Sequence, residues 1–415
     1  MFVRDFKMNI LYLGTVCDQV KYEKILEGCK VKPSVATTVF ETALIRGFAE
    51  NQSEVDILSY PMIPFFPKSR SLVFGGETEM IHGYRSYWLK TVNLPVIKQI
   101  TRRISACRAI KKWAKDNEGN GVILSYSIPP FLAKDILRYG KKYSLKTVAI
   151  IPDLLKNMYI NHQRFALMNA VKQRYLDKAL KLQGEYDGYI YMTEAMREEI
   201  ADNKPYMVME GIFDDTDIST EIKTELCPKS VMYAGQIHKK YGLLNLVDAF
   251  EQIPDADIEL WLFGEGTAVE EVLQHTRNDY RIKFFGRVKR EEVLEYEKKA
   301  ALLVNPRSTK EHFTKYSFPS KTIEYMASGT PLLTTRLGGI PEEYFDYVFS
   351  IEDNDVEQLK SALTAILNMT DEELRTVGKR AQQFVTDNKS AKSQVGRILN
   401  FLEKLSRKDY EVIGK

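Results

Sequence analysis

Phe318-Pro-Ser-Lys-Thr-Ile-Glu-Tyr-Met-Ala-Ser-Gly-Thr-Pro331 runs directly into Leu332-Leu-Thr-Thr335. Proline suits the first turn of a helix, where its missing N–H costs nothing, and glycine suits the residue just past the end. Pro319 and Gly329 therefore bracket a short helix, Ile323 and Met326 mark its buried face, and a strand follows. A helix N-terminus reached from a strand and a loop presents free N–H groups and positive dipole to an anion. Lys321 adds a full charge in the first turn, and Glu324 falls about one turn inside, where a carboxylate can accept hydrogen bonds from two vicinal hydroxyls.

Outward from this stretch, short β-branched or aromatic runs alternate with segments of helical periodicity. NILYLG, VDILSY, VILSYS, TVAIIP and YDGYIYMT fill the first half; YMVME, VMYAG, IELWLFG, IKFFG, ALLVNP, TPLLTT and YVFSI fill the second. Strand and helix in alternation predict parallel sheets covered by helices on both faces, an α/β class. A chain of 415 residues exceeds one ordinary core, so two domains are expected. The composition breaks near Asn203–Pro205, which divides the chain into residues 1–204 and 205–390. Beyond Asp353 the pattern is helical and ends in an amphipathic helix through Val395, Ile398, Leu399, Leu402 and Leu405; residues 391–415 are expected to pack back toward the first domain.

Composition removes several function classes. Hydrophobic residues make up 44% and charged residues 28%, an ordinary folded chain, and no apolar run reaches the ~18 residues of a membrane span. The N-terminal MFVRDFKMNILYLG carries Asp5 and no small-residue cleavage site, so no signal peptide is expected and the chain is placed in the cytoplasm. Cys17, Cys29, Cys107 and Cys227 share no metal-site spacing. Net charge is only +3, yet residues 1–210 hold 31 Lys/Arg against 22 Asp/Glu, and the remainder holds 28 against 34. The basic half should face an anionic partner. Residues 97–115 carry seven Lys/Arg and no acid, with Ile97, Ile100, Ile104, Cys107, Ile110 and Trp113 at helical spacing. With the apolar loop Pro61-Met-Ile-Pro-Phe-Phe-Pro-Lys68 and Arg70, they suit peripheral contact with an anionic membrane at its inner face. A core helix with a solvated charged face is the alternative, and no basic-aromatic signature points to nucleic acid.

Further loops carry chemistry. Tyr233-Ala-Gly-Gln-Ile-His-Lys-Lys-Tyr-Gly242 joins a strand to a helix through Gly235, which lets backbone approach a pyrophosphate while Lys239 and Lys240 neutralise it. Arg307 follows the strand ALLVNP, and Asp153 follows TVAIIP, where it either positions an acceptor hydroxyl or caps the next segment; His162 lies further along. Asp215-Thr-Asp217 and Asp255-Ala-Asp257 have metal-motif spacing, but Asp255 and Asp257 read as a turn, so no metal and no cofactor are expected.

The stretch from Phe318 to Pro331 resembles the donor-site motif of family 4 glycosyltransferases, in the form found in bacterial surface-polysaccharide enzymes. The resemblance covers about residues 206–345 and implies the GT-B architecture, two Rossmann-like parallel-sheet domains facing across a cleft, with C-terminal helices. It implies donor contacts at Phe318, Pro319 and Ser320 and places Glu324 on the ribose. Tyr316 stands where the family's paired glutamate would touch the sugar, with Glu311 on the same loop as a substitute. The Gly235 loop resembles the family's diphosphate loop, with Gln236 and Tyr241 at its usual Arg and Lys positions, so the leaving diphosphate falls to Lys239, Lys240, Lys321 and Arg307. Gly264 in Phe263-Gly-Glu-Gly-Thr267 and Val288 in Phe285-Gly-Arg-Val288 resemble the family's nucleobase turns, and Gly14 is what remains of its first glycine loop. The activity implied is metal-independent, retaining transfer of a hexose-type sugar from a nucleotide diphosphate, UDP ahead of GDP, to a glycan or lipid-linked acceptor in surface polysaccharide synthesis, by front-face substitution. Two rivals stand beside it: a degenerate domain that binds nucleotide sugar or a partner without turnover, and a nucleotide-sugar epimerase.

Overall fold

The structure is a computed structural model describing residues 8–31, 36–158, 166–201, 203–213 and 229–407. His162, Asp215, Asp217 and Cys227 lie outside the described residues. The chain divides into two compact units. One runs to Ile212 and resumes at Ala391; the other is Phe213–Ser390.

The first unit is built on an eight-stranded sheet. Its strands are β1 (Asn9–Gly14), β2 (Glu54–Ser59), β3 (Thr78–Ile81), β4 (Tyr84–Trp88), β5 (Gly121–Tyr126), β6 (Lys146–Ile151), β7 (Gly188–Tyr191) and β8 (Tyr206–Val208). They lie in the order β8-β7-β6-β5-β1-β2-β4-β3, all neighbours parallel except the β3–β4 hairpin. The central strands are buried almost throughout, as expected where helices cover both faces. Tyr206–Val208, read from sequence as the opening strand of the second half, pairs with β7 instead. The composition break at Asn203–Pro205 is therefore a loop inside the first unit, and the second unit begins at Phe213. The C-terminal helix Ala391–Arg407 belongs to the first unit. Asn51, just beyond helix α1 (Ala36–Glu50), donates to the Lys392 carbonyl at 2.9 Å, and Gln394 donates to Gly211 at 2.8 Å.

Helix α2 (Ile97–Asp116) forms where its spacing predicts it, and it turns two of its cations inward. Lys98 and Arg102 are buried, whereas Ile97, Ile100 and Ile104 are 43%, 53% and 48% exposed. The reason is non-local. Arg102 donates to the Pro61 carbonyl at 2.6 Å and Lys98 donates to the Ile63 carbonyl, so two cations of the helix hold the apolar loop in place. Burial, with Arg102 beside it, lowers the Lys98 ammonium to about 7, and burial lowers Arg102 to about 10.

The second unit is a six-stranded, all-parallel sheet of β9 (Ser230–Ala234), β10 (Glu259–Phe263), β11 (Ile282–Gly286), β12 (Leu302–Asn305), β13 (Leu332–Thr335) and β14 (Phe349–Ile351). The order is β11-β10-β9-β12-β13-β14. Helix α3 (Leu243–Glu251) and Val356–Leu367 close one face around Leu246, Phe250 and Leu363. Helix α4 (Lys321–Ala327) and Asp371–Lys389 close the other around Ile323, Met326 and Phe384. The strand order reverses between β9 and β12, and ligands of such sheets bind at that reversal, beyond the carboxyl ends of the strands.

Candidate nucleotide-binding site

Two loops flank the reversal in the second unit, one after β9 and one after β12. The first is knitted to the loop after β10 by backbone alone. Gly235 N–H donates to Phe263 at 3.0 Å, Ile237 N–H to Glu265 at 2.9 Å, and Ala268 N–H to Ile237 at 2.9 Å. Gly264, at φ +136°, is pressed against this loop, since a Cβ there would lie 1.7 Å from the Gly235 carbonyl. Its N–H is already given to Gly286 at 2.8 Å. The glycine expected to hold a nucleobase by its backbone thus builds the loop stack, and its amide is not available for the base. Val288, expected in the same role, packs half-buried against the core.

The cations sort into engaged and available groups. Lys239 is ion-paired with Glu271 at 2.9 Å. Lys321 lies 3.3 Å from the buried Glu297 and also pairs with Glu324, which Arg290 approaches from its other oxygen at 3.6 Å. Burial alone would depress the Lys321 ammonium, but the two carboxylates outweigh it and raise it. Burial, reinforced by the Glu324 charge, pushes Glu297 up to about 8. Burial would raise Glu324 as well, but Lys321 holds it below the ordinary range. Lys321, expected to supply free charge to a diphosphate, is therefore neutralised by its own neighbours. Arg307 and Lys240 differ. The Arg307 guanidinium sits 4.8 Å from the centre of the Tyr241 ring, makes no ion pair among the described residues, and is lowered by burial. Lys240 lies 5.1 Å from the Tyr241 ring and 5.6 Å from that of Phe313. Tyr241 thus stands where the family carries lysine and serves as a platform for two cations.

The loop bearing Arg307 is tethered. Asp353 accepts from the Thr309 N–H at 2.9 Å and the Ser308 hydroxyl at 3.2 Å, and Lys310 reaches it at 3.0 Å. Its partial burial would raise the carboxyl, yet these donors hold it at about 2. The Thr335 hydroxyl fixes the Arg307 carbonyl at 2.6 Å.

The motif around α4 is arranged differently from its linear reading. The helix begins at Lys321, two residues after Pro319, with Thr322 N–H donating to the Pro319 carbonyl at 2.8 Å; Ser320 is exposed and makes no side-chain cap. Phe318 is a core residue packed on Tyr344, and Pro319 is buried. Tyr316, placed by the resemblance against the sugar, is only 5% exposed, with its ring 5.4 Å from that of His312. Glu311 is half-buried and caps its own turn through its carbonyl, which accepts from Thr314. Gln236 is exposed, and its carbonyl accepts from the Tyr233 hydroxyl at 2.9 Å. Tyr325 was not singled out from sequence. Its buried hydroxyl donates to the Ala234 carbonyl at 2.9 Å and accepts from the Ala234 N–H at 2.8 Å, which fixes α4 to the end of β9. A tyrosine beside Glu324 on an apolar buried face was the available signal.

In the first unit, Gly14 has a different neighbour from the one expected. A Cβ there would lie 1.9 Å from Oε1 of Glu41, a fully buried carboxyl on α1. Glu41 accepts from the Thr15 N–H at 2.8 Å, the Thr15 hydroxyl, and the Tyr12 hydroxyl at 2.7 Å. Asp153 stands exposed beyond β6, and desolvation raises its carboxyl. For metals, Asp255 accepts from the Asp257 N–H at 3.0 Å and pairs with Lys229 at 2.7 Å, the turn expected. Asp248, Glu251 and His275 do converge, the first two in the last turns of α3, away from its start at the β9 loop.

Residues 228–369 match the family described as "Glycosyl transferases group 1". Sucrose-phosphate synthase from Thermosynechococcus elongatus superposes with a TM-score of 0.61 at 17% identity, covering 96% of this chain and 100% of that one. Anabaena HepE in complex with UDP superposes with a TM-score of 0.60 at 14% identity, covering 96% and 100%. The chain has the GT-B glycosyltransferase fold. The matched segment lies wholly within the second unit, which carries the loops described above. N-acetyl-alpha-D-glucosaminyl L-malate synthase of Bacillus anthracis is 30% identical over 179 residues, 41% of this chain, and the match spans 44% of that relative's length.

Proposed function

We propose that this GT-B chain is a glycosyltransferase that takes its donor as a nucleotide diphosphate sugar, bound by the second unit at the β9/β12 reversal. The observation that carries the reading is Arg307: a half-buried guanidinium whose charge is disfavoured by desolvation, held on Tyr241 and on a loop tethered by Asp353, with no ion pair among the described residues. A desolvated cation kept without a carboxylate partner is costly unless an anion completes it. A diphosphate does so, with Lys240 beside it, and the developing charge of the leaving group is stabilised there. Glu324 takes the ribose hydroxyls. UDP is the preferred nucleotide over GDP; the solved HepE complex holds UDP.

The transfer we propose is retaining and metal-independent. It moves a hexose-type sugar to a glycan or lipid-linked acceptor in surface polysaccharide synthesis, with Asp153 of the first unit positioning the acceptor hydroxyl. The protein would work at the cytoplasmic face. No helix of the described residues is long and apolar enough to cross a membrane. Peripheral contact with an anionic bilayer is supported by the exposed Ile97, Ile100 and Ile104 together with Met62, Phe65 and Phe66.

The test is calorimetry of the protein with UDP, GDP, ADP and CDP, with and without chelator, and with Glu324→Ala alongside. Binding of one nucleotide, weakened by the substitution and indifferent to chelator, is expected. Folded protein that binds none of the four would sink the transferase reading in favour of a partner-binding domain.

A further inference from the structure

The first unit contains a groove that the donor and acceptor assignments leave unused. It lies between α2 and the sheet, about 850 Å³ in volume, within the range of ligand pockets, about 300–1,000 Å³. Its floor is apolar: Leu11 of β1, Ile57 and Leu58 of β2, and Ala109 and Trp113 of α2. The polar groups inside are satisfied within the protein. Trp113 donates to Asp56 at 3.0 Å, Arg85 pairs with the same carboxylate at 3.6 Å, and the Tyr87 and Ser105 hydroxyls meet at 3.4 Å. The rim is another matter. Lys90, Arg108 and Lys112 all line the groove, and none makes an ion pair among the described residues; Asp116, at the last turn of the helix, is the remaining acid. Ile104 lines the groove and is also part of the exposed ridge that includes Ile97 and Ile100.

We infer that this groove binds a single anionic lipid, with a hydrocarbon chain against the floor and the headgroup on Lys90, Arg108 and Lys112. Two observations select that occupant. An apolar floor whose polar groups are already paired offers a hydrocarbon chain its gain from burial and offers a sugar or nucleotide few partners. Three unneutralised cations at the mouth complement an anionic headgroup, and the groove is continuous with the isoleucine ridge proposed to meet the bilayer. The inference rests on the membrane reading for the source of the lipid, but not for the groove itself.

The experiment uses the full chain and monomeric dihexanoylphosphatidylglycerol below its micelle concentration, with Trp113 fluorescence as readout and Trp113→Phe to assign the signal. A saturable change is expected, at least tenfold weaker with dihexanoylphosphatidylcholine and absent with glycerol 1-phosphate. Ala109→Phe, which fills the groove, should weaken binding at least tenfold. Arg108→Glu with Lys112→Glu, both at exposed positions, should remove the preference for the anionic lipid. Glycerol 1-phosphate binding as well as the lipid would leave only an anion site and overturn the proposal. So would the absence of a saturable change, or a change that Ala109→Phe leaves intact. Phosphatidylglycerol vesicles separate the two readings. Vesicle binding lost in Ile97→Ser/Ile100→Ser while the monomeric lipid still binds supports both. Vesicle binding without monomeric lipid binding supports the surface and overturns the groove. Monomeric lipid binding without vesicle binding supports the groove and overturns the membrane contact.

Discussion

In the first unit, the loop leaving β1 gives its Thr15 N–H and hydroxyl to Glu41, a carboxyl from the following helix. In the second unit, the loop leaving β9 leads to Tyr241, whose ring carries Arg307, a cation with no ion pair among the described residues. Both loops sit at the reversal of strand order in their sheets, the position where this architecture receives phosphates. One has its anion built in; the other has its cation waiting. The contrast supports the proposal that the donor is taken by the second unit. A loop whose donors already face an internal carboxyl has little left for an external anion and would repel it when that carboxyl ionises.

The largest effect that would test this contrast concerns Glu41. Burial raises its carboxyl from 4.5 to about 7 against the hydrogen bonds from Thr15 and Tyr12. Between those values the folded chain holds a proton that the unfolded chain has lost. Stability should therefore fall as pH rises from 4.5 to 7, by about 3 kcal/mol, and level off above. Chemical denaturation across that range should show the slope in the wild type and not in Glu41→Gln. A flat wild-type profile would mean that Glu41 is charged in the fold and repels anions at all working pH.

Next is Arg307→Ala, expected to weaken nucleotide diphosphate binding about a hundredfold by calorimetry, as charge-assisted hydrogen bonds to phosphate require. Unchanged affinity would erase the difference between the two loops. Asp353→Asn should release the Ser308–Lys310 segment that carries Arg307 and cost about tenfold in affinity. Because the Asp353 carboxyl is held at about 2, its contribution is fully present above the ordinary carboxylate range and fades only as pH falls toward 2. Nucleotide binding measured from pH 5 to 8 should therefore show no titration from this residue. The smallest effect is Lys239→Ala, about twofold or less, because Glu271 already neutralises that ammonium; a tenfold loss would show that the pair breaks to admit the ligand.

The strands were legible because continuous apolar runs between turn residues have few other uses, as NILYLG and ALLVNP show. The β3–β4 hairpin was not. TEMI and YRSYW are half polar, and their turn, His82-Gly83 at φ 46° and 87°, lacks the usual Asn-Gly signal. Which residues of α2 turn inward was not legible, because the partners of Lys98 and Arg102 are carbonyls 35 and 41 residues earlier, invisible to helical spacing. In the site, Lys321 and Lys239 were read as charges near the loops; what that reading lacked is that Glu271, on another helix, pairs with Lys239, and that Glu324, three residues along the same helix, is held ionised against Lys321. Arg307 was legible as a basic residue after a strand. Its lack of an ion pair among the described residues was not.

The inserted nature of the second unit bears on how the chain is made. Phe213 N–H donates to the Lys389 carbonyl at 2.7 Å, so the segment leaves and returns side by side. As the polypeptide emerges from the ribosome, the second unit is complete at Ser390, while the first unit still lacks Ala391–Arg407, the helix that covers α1. The stretch made after the second unit finishes the unit begun before it. A nascent chain arrested at residue 390 would carry a finished second unit beside a sheet still missing one of its covers, a state in which chaperones would find the first unit and ignore the second.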